Sequence, residues 1–142
     1  MHPMNRQPLP GAVWIPVSAG ELVDKITILK LKCQHLQGAA LRHVEQEYAL
    51  LKALREQIGF DLSEETTESL AKVNAALWIV EDALRDHEAR QDFGLQFTLL
   101  ARQVYQLNDQ RHELKQRINR GVGCVLQEEK AYLKYSKSSF DP

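Results

Sequence analysis

Two segments decide the fold: VNAALWIVEDALRD at residues 73–86 and VYQLNDQRHELKQRIN at residues 104–119. In each, apolar residues recur at steps of three and four, which is the period of an amphipathic α-helix. The segment between them contains QDFG at 91–94, and so short a connection forces an antiparallel hairpin. We therefore expect one helix at about 64–90, paired side by side with another at about 94–119.

Two more helices are expected before the hairpin. Ser18 and Glu21 can form a capping box, in which each side chain bonds the backbone amide of the other residue, so a helix should run from about 19 to 37. The next helical pattern covers about 39–58, and a glycine follows each of the two, as at many helix C-termini. The sequence thus predicts an all-α, mostly antiparallel four-helix bundle.

Less regular segments are expected at both ends of the chain. Residues 1–12 hold three of the five prolines and predict a flexible arm. Residues 13–17, VWIPV, contain a further proline and predict an extended strap over the bundle rather than a sheet strand. A short last helix is expected in LQEEKAYLKY at 126–135, followed by a loose tail at 136–142. A single helical domain therefore spans 13–135.

Composition narrows the class of protein. A chain of 142 residues suffices for one domain with a core, and its net charge of −1 provides no long-range attraction to nucleic acid or to anionic membranes. No stretch approaches the roughly 20 apolar residues that span a bilayer, and the N-terminus lacks the pattern of a secretion signal. Cys33 and Cys124 form no CxxC motif, which favours free thiols. We expect a cytoplasmic protein with no nucleic-acid partner and no membrane insertion.

Polar side chains interrupt the apolar faces of the hairpin helices. On a helical wheel, Arg111 falls in the middle of an apolar stripe and Asn108 at its edge. Because an unpaired buried arginine costs several kcal/mol, a carboxylate must neutralise it, and the direction of helical side chains favours Glu81. Asp82 and Asp24 are the next candidates. The candidate site comprises Asp24, Lys25, Asn74, Trp78, Glu81, Arg85, Asn108 and Arg111.

The first helix and two amides complete this polar cluster. Asn74 and Asn108 are placed to satisfy the guanidinium hydrogens that a carboxylate leaves over. In the first helix, Lys25 lies on the margin of the main apolar stripe and Asp24 lies away from it. If that helix packs on the hairpin, at least one of the two should join the cluster.

No metal or cofactor is expected. Asp109 and His112 have metal-ligand spacing, but a di-metal bundle needs such a pair twice, on facing helices. Glu65 and Glu68 lie in the first turn of a helix, where the helix dipole alone favours acids. P-loop, GxGxxG and nucleophile-elbow motifs are absent from the sequence. Positions on the protein surface therefore account for both pairs better than a metal site does.

Three elements resemble those of a family of small bacterial proteins of unknown function: GELVDKITIL at 20–29, NAALWIVED at 74–82 and NDQRHELKQRIN at 108–119. The second and third are also similar to elements of another uncharacterised helical family, which occurs beside genes for cell-surface sugar transferases. The resemblance implies a bacterial protein linked to envelope glycan assembly. Lys30 departs from the pattern, because an acid is expected there. The matched positions are Gly20, Glu21, Leu22, Asp24, Lys25, Asn74, Trp78, Glu81, Asp82, Asn108, Asp109 and Arg111.

Two functions remain open at this point. In the first, the cluster is a buried polar network that fixes helix packing in a binding or assembly module, acting with a partner in glycan synthesis. In the second, the protein is a small helical enzyme or anion-binding protein, in which Arg111, Arg85 or Lys25 holds an anionic group beside Glu81. The long hairpin at 64–119 exposes more apolar surface than the other helices can cover, so a homodimer is expected.

Overall fold

Four α-helices make up the fold in the computed structural model, which describes residues 9–126 and 128–135. They are α1 (Ala19–His35), α2 (Gly38–Ile58), α3 (Glu64–Ala89) and α4 (Leu95–Val122). The residues so described contain no strand, and none of these helices has both the length and the apolar character needed to cross a membrane. The all-helical prediction is confirmed, and every helix end lies within three residues of its expected position.

Helix α1 occupies the centre of the fold. Of the four described helices, α1 contacts each of the other three, whereas α2 contacts α1 alone. No residue of α2 is buried, because α1 is the one described helix that packs against it. The core lies where α1 packs against the open end of the α3–α4 hairpin, opposite the loop that joins the two helices. Its buried members are Ala19, Val23, Leu70, Leu114 and Ile118.

Helices α1 and α4 cross in close contact at Gly20. The backbone amide of Gly20 donates to Oδ1 of Asn119 at 2.7 Å. A Cβ atom added at Gly20 would lie 2.5 Å from the backbone oxygen of Lys115, a distance that real Cβ atoms essentially never show. The crossing therefore requires a residue without a side chain at this position.

The predicted capping box at the start of α1 is half formed. Ser18 Oγ accepts a hydrogen bond from the Glu21 amide at 3.1 Å, as expected. The Glu21 carboxylate does not return to Ser18, because it accepts a hydrogen bond from Lys115 Nζ at 2.9 Å. The carboxylate thus joins α1 to α4 instead of completing the cap.

Residues 128–135 contain no helix, so the predicted short C-terminal helix is wrong over this range. We refer to residues 128–135 as the C-terminal strap. The strap runs back along α4: Gln116 Nε2 donates to the backbone oxygen of Glu128 at 2.7 Å, and Tyr132 donates to Asp109 at 2.7 Å. The backbone oxygen of Glu128 is thus satisfied by a side chain of α4 rather than by a backbone amide within a helix.

Part of the chain that precedes α1 lies beside α2. Residues 1–8 of the predicted arm lie outside the described residues, as does the predicted tail at 136–142. Residues 13–17 belong to no helix. Leu9 and Trp14 line a cavity of about 250 Å³ together with residues of the second half of α2.

Candidate functional site

Asp24 lies at the centre of a buried polar network. Its side chain is 0% exposed, and its Oδ1 accepts hydrogen bonds from Asn74 Nδ2 and Arg111 Nε, both at 2.9 Å. Its Oδ2 accepts a hydrogen bond from Arg111 Nη2 at 2.5 Å. Asn74 also donates to Thr27 Oγ1 at 2.9 Å. The guanidinium therefore binds the carboxylate through two nitrogens, the geometry of the strongest arginine pairs.

The prediction that Glu81 neutralises Arg111 is wrong. Glu81 is exposed, and the carboxylate that binds Arg111 comes from α1. The prediction rests on the register of α3 against α4 alone. Helix α1 packs against both of these helices, and its Asp24 bonds to a residue of each. Asn108 Oδ1 accepts from Arg111 Nη1 at 3.5 Å, as expected. Asn74 is expected to bond the Arg111 guanidinium, but it donates to the Asp24 carboxylate instead.

Lys25 does not join the network. It is exposed, and its Nζ lies 3.6 Å from a carboxylate oxygen of Glu47 on α2. The helical wheel places Lys25 near the packed face and Asp24 away from it, which is the reverse of the structure. Because three helices contact α1 from different sides, its main apolar stripe does not identify the face toward the hairpin.

An open cleft of about 460 Å³ lies beside the network, between α1, α3 and α4. This volume falls within the roughly 300–1,000 Å³ of small-molecule sites in proteins. Ile28 and Leu31 contribute the α1 side, and Leu77 and Asp82 also contribute from α3. Six of the eight candidate residues line the cleft: Asn74, Trp78, Glu81, Arg85, Asn108 and Arg111.

The ring of Trp78 is held in place by a contact that the sequence pattern does not indicate. His35, the last residue of α1, stacks on Trp78 with ring centroids 4.5 Å apart and planes inclined by 19°. Stacking of this kind restricts both rings and adds to the stabilisation from burial. His35 therefore covers one face of Trp78, and the Trp78 side chain also lines the cleft.

The charged residues that line the cleft are of two kinds: Arg111 is paired with Asp24, and the others are exposed and have no ion-pair partner in the part of the chain that the structure describes. The hydrogen bonds to Asp24 outweigh the effect of burial and raise the pKa of Arg111, so its charge is permanent and already balanced. Glu81, Asp82 and Arg85 are exposed, and no ion-pair partner for them exists among the described residues. The cleft thus presents charges of both signs to whatever enters it.

A second polar cluster surrounds Lys115, which is buried one helical turn beyond Arg111. Lys115 Nζ lies 2.9 Å from Glu21, 3.1 Å from Glu128 and 4.0 Å from Asp24. Burial lowers the pKa of Lys115, but hydrogen bonds to the two glutamates outweigh it, so the pKa is raised and the ammonium remains charged. The ion pair with Glu128 ties the C-terminal strap to α4.

One periodic signal in the sequence could have identified this second cluster. Asn108, Arg111, Lys115 and Asn119 recur at steps of three and four, and so form a continuous polar line along α4. Asn119 is 2% exposed. A polar line with the period of a helix, running beside an apolar stripe, indicates that two packed surfaces meet there.

We expect Glu128 to titrate far below the usual range of glutamate. The hydrogen bond from Lys130 and, next, that from Lys115 lower the pKa of Glu128 from 4.5 to about 2, against the opposing effect of burial. Because the pKa is depressed in the folded protein, the charged carboxylate stabilises the docked strap. This contribution is complete above about pH 4.5 and is lost as the pH falls toward 2. NMR titration of the side-chain carboxyl measures the midpoint.

A matched variant tests the cause of that shift. Lys130→Met removes the main hydrogen bond to Glu128 and should raise the midpoint of its titration, while Lys115 still holds the strap. A midpoint near 4.5 in the unmodified protein would show that Glu128 is not paired as the structure has it.

No group of three or more His, Cys, Asp or Glu side chains within 9–126 and 128–135 is arranged to hold a metal ion. Cys33 and Cys124 are free thiols, as expected, and both are half-buried.

Comparison with known proteins identifies a family. No curated protein and no solved structure matches the sequence. Residues 13–140 match a protein family, and this range contains all four helices, the cleft and the C-terminal strap. Since the match covers far more than half of the chain, this protein belongs to DUF6165, a family of unknown function.

Proposed function

We propose that the protein is a helical binding module and that the cleft between α1, α3 and α4 takes a sugar or a sugar-containing metabolite. The observation that carries this proposal is the Trp78 ring, fixed by His35, beside unpaired charged groups on one open cleft. An aromatic ring can cover the apolar face of a sugar. Carboxylates accept hydrogen bonds from hydroxyl groups, and a guanidinium donates to hydroxyl oxygens.

The same geometry favours a sugar over the alternative of an anion-binding protein or enzyme. Arg111 binds Asp24 through two nitrogens, so its charge is balanced within the protein. Two carboxylates, those of Glu81 and Asp82, lie at the cleft and would repel a strongly anionic ligand. Recognition of an anion would then depend on Arg85.

The proposed ligand class suits a role in envelope glycan assembly. Two of the sequence elements are similar to those of a helical family that occurs beside sugar-transferase genes, and both contribute residues to the cleft. We therefore propose a bacterial, cytoplasmic protein that acts with a glycan-synthesis enzyme as its partner.

The assembly that we propose is a homodimer formed through the α3–α4 hairpin. Large apolar side chains are exposed there, among them Ile79 at 69% and Leu95 at 72%. Burial of such side chains is the usual driving force for association. Within one chain, the proposed arrangement is a four-helix bundle with an N-terminal strap, supported by the contacts of α1 and by Trp14 beside α2.

Fluorescence of Trp78 provides the test of the ligand class. The chain has two tryptophans, so Trp14→Phe leaves Trp78 as the single reporter. Titration with free hexoses should produce a saturable change of Trp78 emission for at least one sugar, whereas sugar phosphates and nucleotide sugars should bind more weakly because Glu81 and Asp82 repel their negative charge. In that background Glu81→Gln should weaken binding about tenfold or more, because the amide replaces a charged acceptor.

The matched control is Glu88→Gln, an exposed glutamate of the same helix that does not line the cleft. It should bind the same sugar with unchanged affinity. The proposal fails if no sugar gives a saturable change, or if both variants weaken binding equally. Inorganic phosphate that binds as tightly as the sugar would favour the anion-binding alternative.

A further inference from the structure

A second cavity, of about 590 Å³, lies between α4 and the C-terminal strap. Three tyrosines line it: Tyr105 from α4, and Tyr132 and Tyr135 from the strap. The rings of Tyr105 and Tyr135 meet edge to face at 77°, with centroids 5.1 Å apart. The cavity therefore has aromatic walls in two nearly perpendicular planes.

The same cavity contains a carboxylate whose charge the described residues do not balance. Asp109 is half-buried and accepts a hydrogen bond from the Tyr132 hydroxyl at 2.7 Å. No cation of the described chain lies within ion-pair distance of Asp109. Lys130 also lines the cavity, but its Nζ is 2.9 Å from Glu128. A net negative charge thus remains among the aromatic rings.

The phenols keep their protons in this environment. The hydrogen bond to Asp109 raises the pKa of Tyr132, and burial raises the pKa of Tyr135 to about 12. Both rings are therefore neutral hydrogen-bond donors at physiological pH. The Tyr132 hydroxyl donates to Asp109, and the Tyr132 side chain is 52% exposed beside the cavity.

We propose that this cavity binds an alkylated ammonium group, such as the trimethylammonium of choline or of a methylated amine. Such a cation needs no hydrogen-bond partner and is attracted by the negative faces of aromatic rings. Tyr105 and Tyr132, both of which line the cavity and are partly exposed, supply the faces, and Asp109 supplies the opposite charge. A primary ammonium suits the site less well, since it requires several acceptors and Asp109 already accepts from Tyr132.

This site is separate from the cleft of the proposed function. The two linings share Asn108 alone, because that residue lies on α4 between them. The cleft draws on α1 and α3, whereas this cavity draws on the strap. Binding of an ammonium cation therefore does not depend on whether the cleft takes a sugar.

The test compares choline with its neutral isostere, 3,3-dimethylbutan-1-ol, by amide NMR of the intact chain. Choline should give saturable shifts in α4 near Tyr105 and in the strap, and the neutral compound should bind at least about tenfold more weakly. Sodium chloride at equal ionic strength should give no saturable shift there. Equal affinity for the two compounds would overturn the proposal, as would the absence of a saturable response at about 10 mM choline.

Variants separate the role of the ring from that of the hydroxyl. Tyr105→Leu and Asp109→Asn should each weaken choline binding about tenfold or more, while Tyr105→Phe should keep it. Arg85→Ala, in the other cleft, is the matched control and should bind choline as the unmodified protein does. Unchanged amide shifts in α1 and α3 establish that each variant is folded. Choline binding that survives both Tyr105→Leu and Asp109→Asn would place the cation elsewhere.

Discussion

The Asp24→Ala protein should unfold with a free energy lower by about 3–5 kcal/mol than that of the unmodified chain. The substitution removes a fully buried carboxylate that accepts hydrogen bonds from Asn74 and from two nitrogens of Arg111. The Arg111 side chain is 29% exposed, so its charge would be left largely out of water and without its partner. Typical substitutions cost about 1 kcal/mol. Urea denaturation at neutral pH measures the difference.

Two further variants make that result specific. Glu81→Ala should change the free energy of unfolding by no more than about 0.5 kcal/mol, since Glu81 is exposed and has no ion-pair partner among the described residues. In the double variant Asp24→Ala/Arg111→Ala, the free energy of unfolding should fall by less than the sum of the decreases in the two single variants. The reason is that removing both partners leaves no unpaired charge. Equal losses for Asp24→Ala and Glu81→Ala would show that Arg111 does not depend on Asp24.

The helices are predictable because their signals are local. Apolar residues at steps of three and four, the Ser18 cap and the glycines after α2 and α4 depend only on neighbours along the chain. The C-terminal strap is different: its sequence has a helical pattern, but its hydrogen bonds go to α4. Tertiary contacts of this kind override local preference, and no local rule reveals them.

The candidate site is predictable where the hairpin determines it. The short loop sets the register of α3 against α4, so the residues that face the cleft from these two helices follow from the helical period. The contribution of α1 does not follow, because its rotation depends on three packed neighbours. That rotation decides that Asp24, rather than Lys25, meets Arg111.

Gly20→Ala should lower the free energy of unfolding by about 2–3 kcal/mol. In most helices the same change is stabilising, by up to about 1 kcal/mol, because alanine loses less backbone entropy than glycine. Here the new Cβ would lie 2.5 Å from the backbone oxygen of Lys115 and 3.0 Å from Oδ1 of Asn119. A backbone oxygen cannot rotate away, so α1 must move from α4. That movement also strains the Asp24–Arg111 pair, which joins the same two helices.

Gly121→Ala is the matched control, since it makes the same change on one of the two crossing helices. Gly121 lies near the end of α4, and nothing within 4 Å would meet its Cβ. This variant should be as stable as the unmodified chain or more stable by up to about 1 kcal/mol. The change from glycine to alanine should therefore lower the free energy of unfolding at Gly20 but leave it unchanged or raise it at Gly121. Chemical denaturation of both proteins measures the difference. A Gly20→Ala protein as stable as Gly121→Ala would mean that α1 and α4 do not cross at Gly20.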